Sequence, residues 1–182
     1  MINLQKWQGI NLKKESWNSN LKSIKIGCGW DTNSIGWADF DLDVMVVPKE
    51  GNFVFFNNMN AHGVHLSWDN RTWDWAGDDE TMSLVLSEMD KEEYTIFVSI
   101  FEASQRNQSF ALVDNAYVRV LDESNNQEIA RFNITENGGS NSWLIVGQVK
   151  KVDWGNDIEF KAIGEYTNQD IESIVRQYGG NV

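Results

Sequence analysis

The stretch Tyr94-Thr95-Ile96-Phe97-Val98-Ser99-Ile100-Phe101 decides the fold class of this chain. Nearly all of its residues are β-branched or aromatic, the types that fit a pleated, half-buried surface. The run is almost continuously apolar and predicts a β-strand rather than a loop.

Similar runs recur along the whole sequence. The other predicted strands are Ser23–Gly27, Asp43–Val47, Phe53–Phe56, Thr81–Leu86, Tyr117–Leu121, Glu128–Ile134, Ser142–Val149 and Ile158–Ile163. Turn-forming residues separate them, for example Lys49-Glu50-Gly51-Asn52 and Asn137-Gly138-Gly139. The one proline, Pro48, closes a strand, where its missing N–H does least harm. About ten short strands with such spacing predict a mostly β protein, a two-sheet β-sandwich.

Only the C-terminal end has a clear helical period. Its apolar residues stand at i, i+3, i+4 and i+7, namely Ile171, Ile174, Val175 and Tyr178. Thr167 or Asn168 could cap the start of this helix, and Gly179 ends it. Ala103–Phe110 is a candidate for a short turn of helix. Because no linker or low-complexity segment interrupts the pattern, we expect a single domain over residues 1–182.

The formal net charge of the chain is −12, and most of it lies in one part of the sequence. Residues 31–80 contain ten acids against two bases, a net charge of −8. Self-repulsion at that density costs stability unless a cation relieves it. A nucleic-acid partner is disfavoured because phosphate contacts need clustered Lys and Arg, and the densest basic points are isolated pairs.

The run Asp39-Phe40-Asp41-Leu42-Asp43 leads directly into a predicted strand. Its three aspartates would face one side of that strand, and the apolar residues between them would face the core. Further oxygen donors flank it at Asp31, Asn57-Asn58, Asp69-Asn70 and Asp78-Asp79-Glu80. Hard oxygen donors of mixed type, carried on loops, favour Ca²⁺ over Mg²⁺ or zinc, and they suffice for two ions.

Other metal sites fit the sequence less well. An EF-hand loop starting at Asp39 would end at Glu50, but it would place Val44 where the loop requires glycine. His62 and His65 lack a further well-placed ligand for zinc, so ordinary structural histidines are expected. Cys28, the one cysteine, is expected to be a small buried residue rather than a nucleophile.

Several motifs together resemble the TerD family of tellurium-resistance and stress-response proteins. The matching pieces are Trp7-Gln8-Gly9-Ile10-Asn11-Leu12, Gly29-Trp30-Asp31, Asp39-Phe40-Asp41-Leu42-Asp43, Phe55-Phe56-Asn57-Asn58, Asp69-Asn70-Arg71-Thr72, Gly77-Asp78-Asp79-Glu80, Gln108-Ser109-Phe110, Ala130-Arg131-Phe132 and Lys161-Ala162-Ile163-Gly164. The resemblance extends from about residue 3 to Gly179. It implies a non-enzymatic β-sandwich that binds calcium, two ions in all, and takes part in resistance to tellurite and other stresses.

The same resemblance implies the ligands and the setting. The metal-ligand candidates are Asp31, Asp39, Asp41, Asp43, Asn57, Asn58, Asp69, Asn70, Asp78, Asp79 and Glu80. Other stress-response proteins are the implied partners, in a bacterial or phage cytoplasm. A cytoplasmic protein that is not integral to a membrane also agrees with a single cysteine and with the lack of a long apolar stretch.

Two alternatives stay open at this stage. Trp68, Trp73 and Trp75 lie within the acidic region, where they either pack the edge of the sandwich or form an exposed aromatic surface. An exposed surface would favour a calcium-dependent recognition module for a carbohydrate, a membrane surface or a protein partner. The second and weaker alternative is a metal-dependent hydrolase. It has little support, because no nucleophile elbow or phosphate-binding loop occurs.

Overall fold

A computed structural model describes residues 1–32, 42–67, 78, 80–134 and 138–182. Twelve strands dominate it: β1 Ile2–Asn3, β2 Gly9–Asn11, β3 Ser23–Thr32, β4 Leu42–Pro48, β5 Asn60–Ala61, β6 Val64–Leu66, β7 Glu80–Val85, β8 Glu93–Ile100, β9 Val113–Asp122, β10 Gln127–Asn133, β11 Trp143–Val152 and β12 Asp157–Thr167. The α-helices are α1 Leu12–Glu15, α2 Ala103–Arg106 and α3 Ile171–Gln177, with 3₁₀ turns at Leu86–Glu88, Phe110–Leu112 and Asp153–Gly155.

The strands form two sheets that pack as a β-sandwich, which confirms the predicted fold class. The seven-stranded sheet has the order β1-β10-β9-β3-β7-β6-β5, and the five-stranded sheet has the order β2-β12-β11-β8-β4. All pairings between these strands are antiparallel except that of β1 with β10. The two N-terminal strands β1 and β2 thus join different sheets.

The main hydrophobic core lies between the sheets. Alternate residues of β3, such as Ile24 and Ile26, meet residues of β8, such as Ile96 and Val98, in one buried cluster. Cys28 belongs to this cluster and is 3% exposed, as expected from the sequence. Period-two burial is what a strand with one face on a core requires.

A second core covers the outer face of the five-stranded sheet. Met45 of β4 and Phe97 of β8 point away from the main core and pack with Ile174 and Val175 of α3. The central strands of this sheet are therefore buried on both faces, which explains why residues 94–101 read as an unbroken apolar run.

The boundaries of some elements differ from the sequence prediction. Phe53–Phe56 was predicted as a strand, but it makes only isolated bridges, including Val46 to Val54, and then a turn. The N-cap of α3 is Asp170, whose carboxylate accepts from the Ser173 amide, rather than Thr167 or Asn168. Gly179 does follow the helix, with a φ of 77° that suits glycine.

Two buried polar side chains tie loops to the framework. Asp122 is 1% exposed and accepts hydrogen bonds from Asn18 Nδ2 at 2.7 Å and from the amide and hydroxyl of Ser124. The hydroxyl of Tyr94 donates to the carbonyl of His62 at 2.9 Å. Because these groups are out of reach of bulk water, each bond satisfies a partner that would otherwise be costly to bury.

Candidate functional site

Three strand ends that carry predicted ligands meet at one end of the sandwich. β3 runs out through Gly29 and Trp30 to Asp31, β4 begins at Leu42, and β7 begins at Glu80. Leu42 lies beside Cys28, Gly29 and Trp30 around a small apolar cavity between the sheets. Cys28 is in turn the register partner of Glu80. The fold thus brings together segments that are far apart in the sequence.

Asp43 is the second residue of β4. Its neighbours Leu42 and Val44 are buried in the main core, as the alternation predicted, so Asp43 is on the outer face of the five-stranded sheet. It is level with Ser99 of β8. An antiparallel bridge between Val46 and Val54 directs the returning chain back towards this end of β4.

Asn57 and Asn58 lie on that returning chain. They form an exposed turn in which the amide of Asn58 donates to the carbonyl of Phe55 at 2.8 Å. The side-chain amide of Asn58 donates to the carbonyl of Phe53 at 3.2 Å, which leaves its Oδ1 oriented away from that contact. Both residues are exposed, and they follow the chain that returns from the bridge at Val54.

Glu80 is placed very differently from a surface acid. It is 8% exposed and follows the inward alternation of Met82 and Leu84, so its side chain faces the space between the sheets. Burial of a carboxylate is costly unless the charge is paired or bound to a cation. Among the predicted ligands whose side chains the structure describes, Glu80 is the one whose carboxylate faces the space between the sheets.

Asp78 lies on the outer face of the seven-stranded sheet, opposite to the face that carries Glu80, and forms an ion pair with Arg119. Arg119 of β9 donates from Nε to Asp78 Oδ1 at 2.7 Å and from Nη2 to Asp78 Oδ2 at 3.0 Å. The Tyr117 hydroxyl lies 3.3 Å from Oδ1. The Asp78 side chain is 4% exposed. Such a bidentate pair is among the strongest polar contacts that proteins make.

Burial and neighbouring charged groups shift the pKa values of the residues around the Asp78–Arg119 ion pair. The hydrogen bond to Asp78 raises the pKa of Arg119, and burial raises the pKa of the Tyr117 hydroxyl. The guanidinium of Arg131 lies over the Tyr117 ring, 3.8 Å from its centroid. Glu128 is within 3.6 Å of Arg119 and 3.8 Å of Arg131. Asp78 is therefore held within a network of alternating charge.

The remaining candidates are placed by their backbone or lie elsewhere in the chain. The backbone of Asp31 pairs with that of Asp114 on β9, so two acidic residues stand opposite each other in the ladder. Outside the described residues lie five ligand candidates, Asp39, Asp41, Asp69, Asn70 and Asp79, together with Trp68, Trp73 and Trp75.

Sequence reasoning missed Arg119 and Asp114. Arg119 looks like an ordinary outward residue of an alternating strand, and it lies 41 residues from Asp78 along the chain. Asp114 lies outside the predicted strand Tyr117–Leu121, because the apolar alternation starts later than β9 does. Only the pairing of β3 with β9 brings either residue to the acidic segments.

The two histidines make local contacts. His62 Nδ1 is 2.8 Å from Asp90 Oδ1, and His65 Nδ1 is 2.9 Å from Asn60 Oδ1. Within the described part of the chain, no group of three or more His, Cys, Asp or Glu side chains is arranged to hold a metal ion. In the same residues, no helix has the length and apolar character to cross a membrane.

The comparisons with known proteins agree on one family. Residues 1–178 match the TerD domain. The tellurium resistance protein TerD of Serratia marcescens is 30% identical over 99% of this chain and 98% of its own length. General stress protein 16U of Bacillus subtilis (strain 168) is 32% identical over 98% and 97%. In the same organism, the uncharacterized protein YceE is 36% identical over 98% and 97%.

A solved structure supports the fold independently. A homologue of telluride resistance protein (TerD) from Streptomyces coelicolor A3(2) superposes with a TM-score of 0.65 and covers 86% of this chain and 96% of its own. At 18% sequence identity this likeness speaks for the sandwich alone. The full-length match to the domain, together with relatives at 30% identity or more, establishes that the chain belongs to the TerD family.

Proposed function

We propose that this protein is a calcium-binding, non-enzymatic stress-resistance protein whose composite metal site lies at the end of the sandwich where β3, β4 and β7 meet. The observation that carries the proposal is the convergence of those three strand ends, because each continues into an acidic segment. Ten acids against two bases over residues 31–80 make a bound dication the simplest source of neutralisation.

The types of side chain at that end fit a hard cation. Asp43 and Glu80 offer carboxylates, and Asn57 and Asn58 offer amide oxygens, the donor types that calcium prefers. Asp31, Asp39, Asp41, Asp69, Asn70 and Asp79 are the further proposed donors, and they are numerous enough for two ions. Bound calcium would neutralise these groups and hold their segments against the sheet ends.

The biological role is proposed by family. Relatives of this chain carry names that refer to tellurium resistance and to general stress, which supports a role in resistance to tellurite and other chemical stresses. We propose that such a role is exerted inside the cell through contacts with other stress-response proteins, with calcium as the resident ion.

A thermal unfolding titration tests the proposal. Calcium at about 100 times its Kd, binding the folded state alone, adds roughly 2.7 kcal/mol. For a chain of this size that corresponds to a rise in Tm of about 5–10 °C. Magnesium at the same ionic strength controls for general screening of the acidic surface. An equal shift with both ions, or none over a millimolar range of calcium, would contradict the proposal.

Calorimetry of single variants tests the location. We expect Asp41→Ala, Asp79→Ala and Glu80→Gln each to lower the number of calcium ions bound or the affinity. Asp90→Asn is a matched control, because Asp90 is an acid that contacts His62 away from the sandwich end. If the three variants titrate like the parent, the ion binds somewhere else.

A further inference from the structure

We infer that Asp78 does not bind the metal but anchors the end of the acidic segment to the sheet through Arg119, and so positions Glu80 for the cation. The inference rests on the proposed function, and it assigns distinct roles to two acids that stand two residues apart. Asp78 would act as a positioning residue, with Arg119 as its internal counter-ion.

The sheet surface is built to receive the Asp78 carboxylate. Gly27 of β3 is the register partner of Arg119, and it lies directly beneath Asp78. A Cβ atom at Gly27 would lie 2.0 Å from Asp78 Oδ2 and 2.1 Å from its Cγ, closer than real atoms approach. The missing side chain therefore makes the space that lets the carboxylate reach Arg119.

The donors around Asp78 leave no good position for a cation. Arg119 contacts both carboxylate oxygens, and Tyr117 adds a third donor at Oδ1. Calcium binds carboxylate oxygens at about 2.3–2.6 Å, which would bring it close to the guanidinium. The guanidinium would repel a cation bound beside it, most strongly on the buried side of the carboxylate. The pair thus favours an anchor over a ligand.

Asp78 and Glu80 point to opposite faces of the sheet, so holding one side chain in place orients the other. Asp78 lies on the outer face of the seven-stranded sheet, whereas Glu80 faces the interior at the start of β7. Fixing Asp78 sets where the chain enters the ladder, in which Glu80 pairs with Cys28 and Thr81 with Gly27. Without the ion pair, the backbone at the start of β7 would have to become ordered when the cation binds. The entropy cost of that ordering would weaken cation binding.

Calcium titration of Arg119→Gln distinguishes the two roles by the sign of the change in affinity, and Asp78→Asn is titrated beside it. For an anchor, both variants weaken calcium binding, by about tenfold if one additional residue must be ordered, and leave the number of ions unchanged. The double variant should be no weaker than either single one. For a ligand that Arg119 competes for, Arg119→Gln would instead strengthen binding.

Controls separate this role from general destabilisation. Arg176→Gln removes an arginine of α3 that pairs with Glu172, away from the seven-stranded sheet, so calcium affinity should stay at the parent value. Arg119→Lys keeps the charge without the bidentate geometry and should lie between parent and Arg119→Gln. If Arg119→Gln does not fold, the comparison rests on Arg119→Lys and Asp78→Asn.

Amide hydrogen exchange makes the test independent of calcium. We expect Arg119→Gln to speed exchange at Glu80 and Thr81 in chelator, while amides of β8 around Phe97 keep their protection. Unchanged exchange and unchanged affinity would overturn the anchor even if calcium binds. Faster exchange in a protein that binds no calcium would instead support the anchor and reject the proposed function.

Discussion

Replacing Gly27 by alanine tests the packing of the Asp78–Arg119 pair with a single methyl group. Gly27 has no positive φ, so the substitution adds no backbone strain of its own. The new Cβ would, however, overlap Oδ2 and Cγ of Asp78 at 2.0 and 2.1 Å. The carboxylate must therefore leave its place over the sheet and lose Arg119.

The expected magnitude follows from the contacts that are lost. Hydrogen bonds to charged groups contribute about 1.5–3 kcal/mol each, but both groups here can move towards water and recover hydration. Loss of the ion pair should lower the free energy of unfolding by about 2–3 kcal/mol. Alanine restricts the unfolded chain more than glycine does, which offsets about 0.4–1 kcal/mol of that loss. We expect Gly27→Ala to destabilise the fold by about 1–2 kcal/mol.

Urea unfolding in the presence of chelator measures this difference without a contribution from bound metal. The corresponding fall in Tm is about 3–6 °C for a chain of this length. Gly9→Ala is the matched control, because its Cβ meets only the flexible end of Glu159 at 3.2 Å. That change should stay within about 0.5 kcal/mol.

A double variant links the effect to the pair itself. In an Asp78→Gly background the added methyl has no carboxylate to displace, so Gly27→Ala should cost little there. If Gly27→Ala is as stable as the parent, or equally destabilising with and without Asp78, the close packing of the pair against the sheet is wrong.

Three further changes test other parts of the structure. Asp122→Asn should cost about 1–3 kcal/mol at neutral pH. Burial acts to raise the pKa of Asp122, but its hydrogen bonds outweigh burial and hold the pKa below its ordinary value. The parent protein should therefore exceed the variant in free energy of unfolding by the full amount above about pH 4, and this difference should disappear as the pH falls through the lowered pKa. Unfolding of both proteins measured over a series of acidic pH values checks this. Tyr94→Phe removes the donor to the His62 carbonyl and should cost about 1–2 kcal/mol in urea unfolding. Ile174→Ala opens a cavity in the second core, so we expect a loss of about 2–4 kcal/mol, against little change for the exposed neighbour Glu172→Ala.

The strands that composition predicted best are those buried on both faces. Residues 94–101 read as a strand because packing against two cores leaves little room for polar residues, and β8 covers Glu93–Ile100. Phe53–Phe56 has the same composition, yet it forms bridges and a turn, since four apolar residues pack equally well outside a ladder. The two- and three-residue strands β1 and β2 carry too few residues for any pattern.

The sequence indicated where the acidic residues concentrate but not which partners they meet in the fold. Local acidity identified residues 31–80, and the alternation around Leu42 and Val44 correctly assigned the core face of β4. Asp78 contacts Arg119 and lies over Gly27, and these two residues come together only through the pairing of β3 with β9. No pattern within one segment encodes such a partner, because side-chain alternation reports a face and not what lies across it.

The attachment of the N-terminal strands has a consequence for how the chain acquires its shape during synthesis. Ile10 pairs with Phe160, and Ile2 pairs with Ala130, so each N-terminal strand waits for a partner that is made 150 or 128 residues later. At about 5–20 residues per second, β2 must wait roughly 8–30 s for its partner. Contacts so distant in sequence also slow refolding. We therefore expect the nascent chain to expose apolar sheet edges until β10 and β12 have left the ribosome.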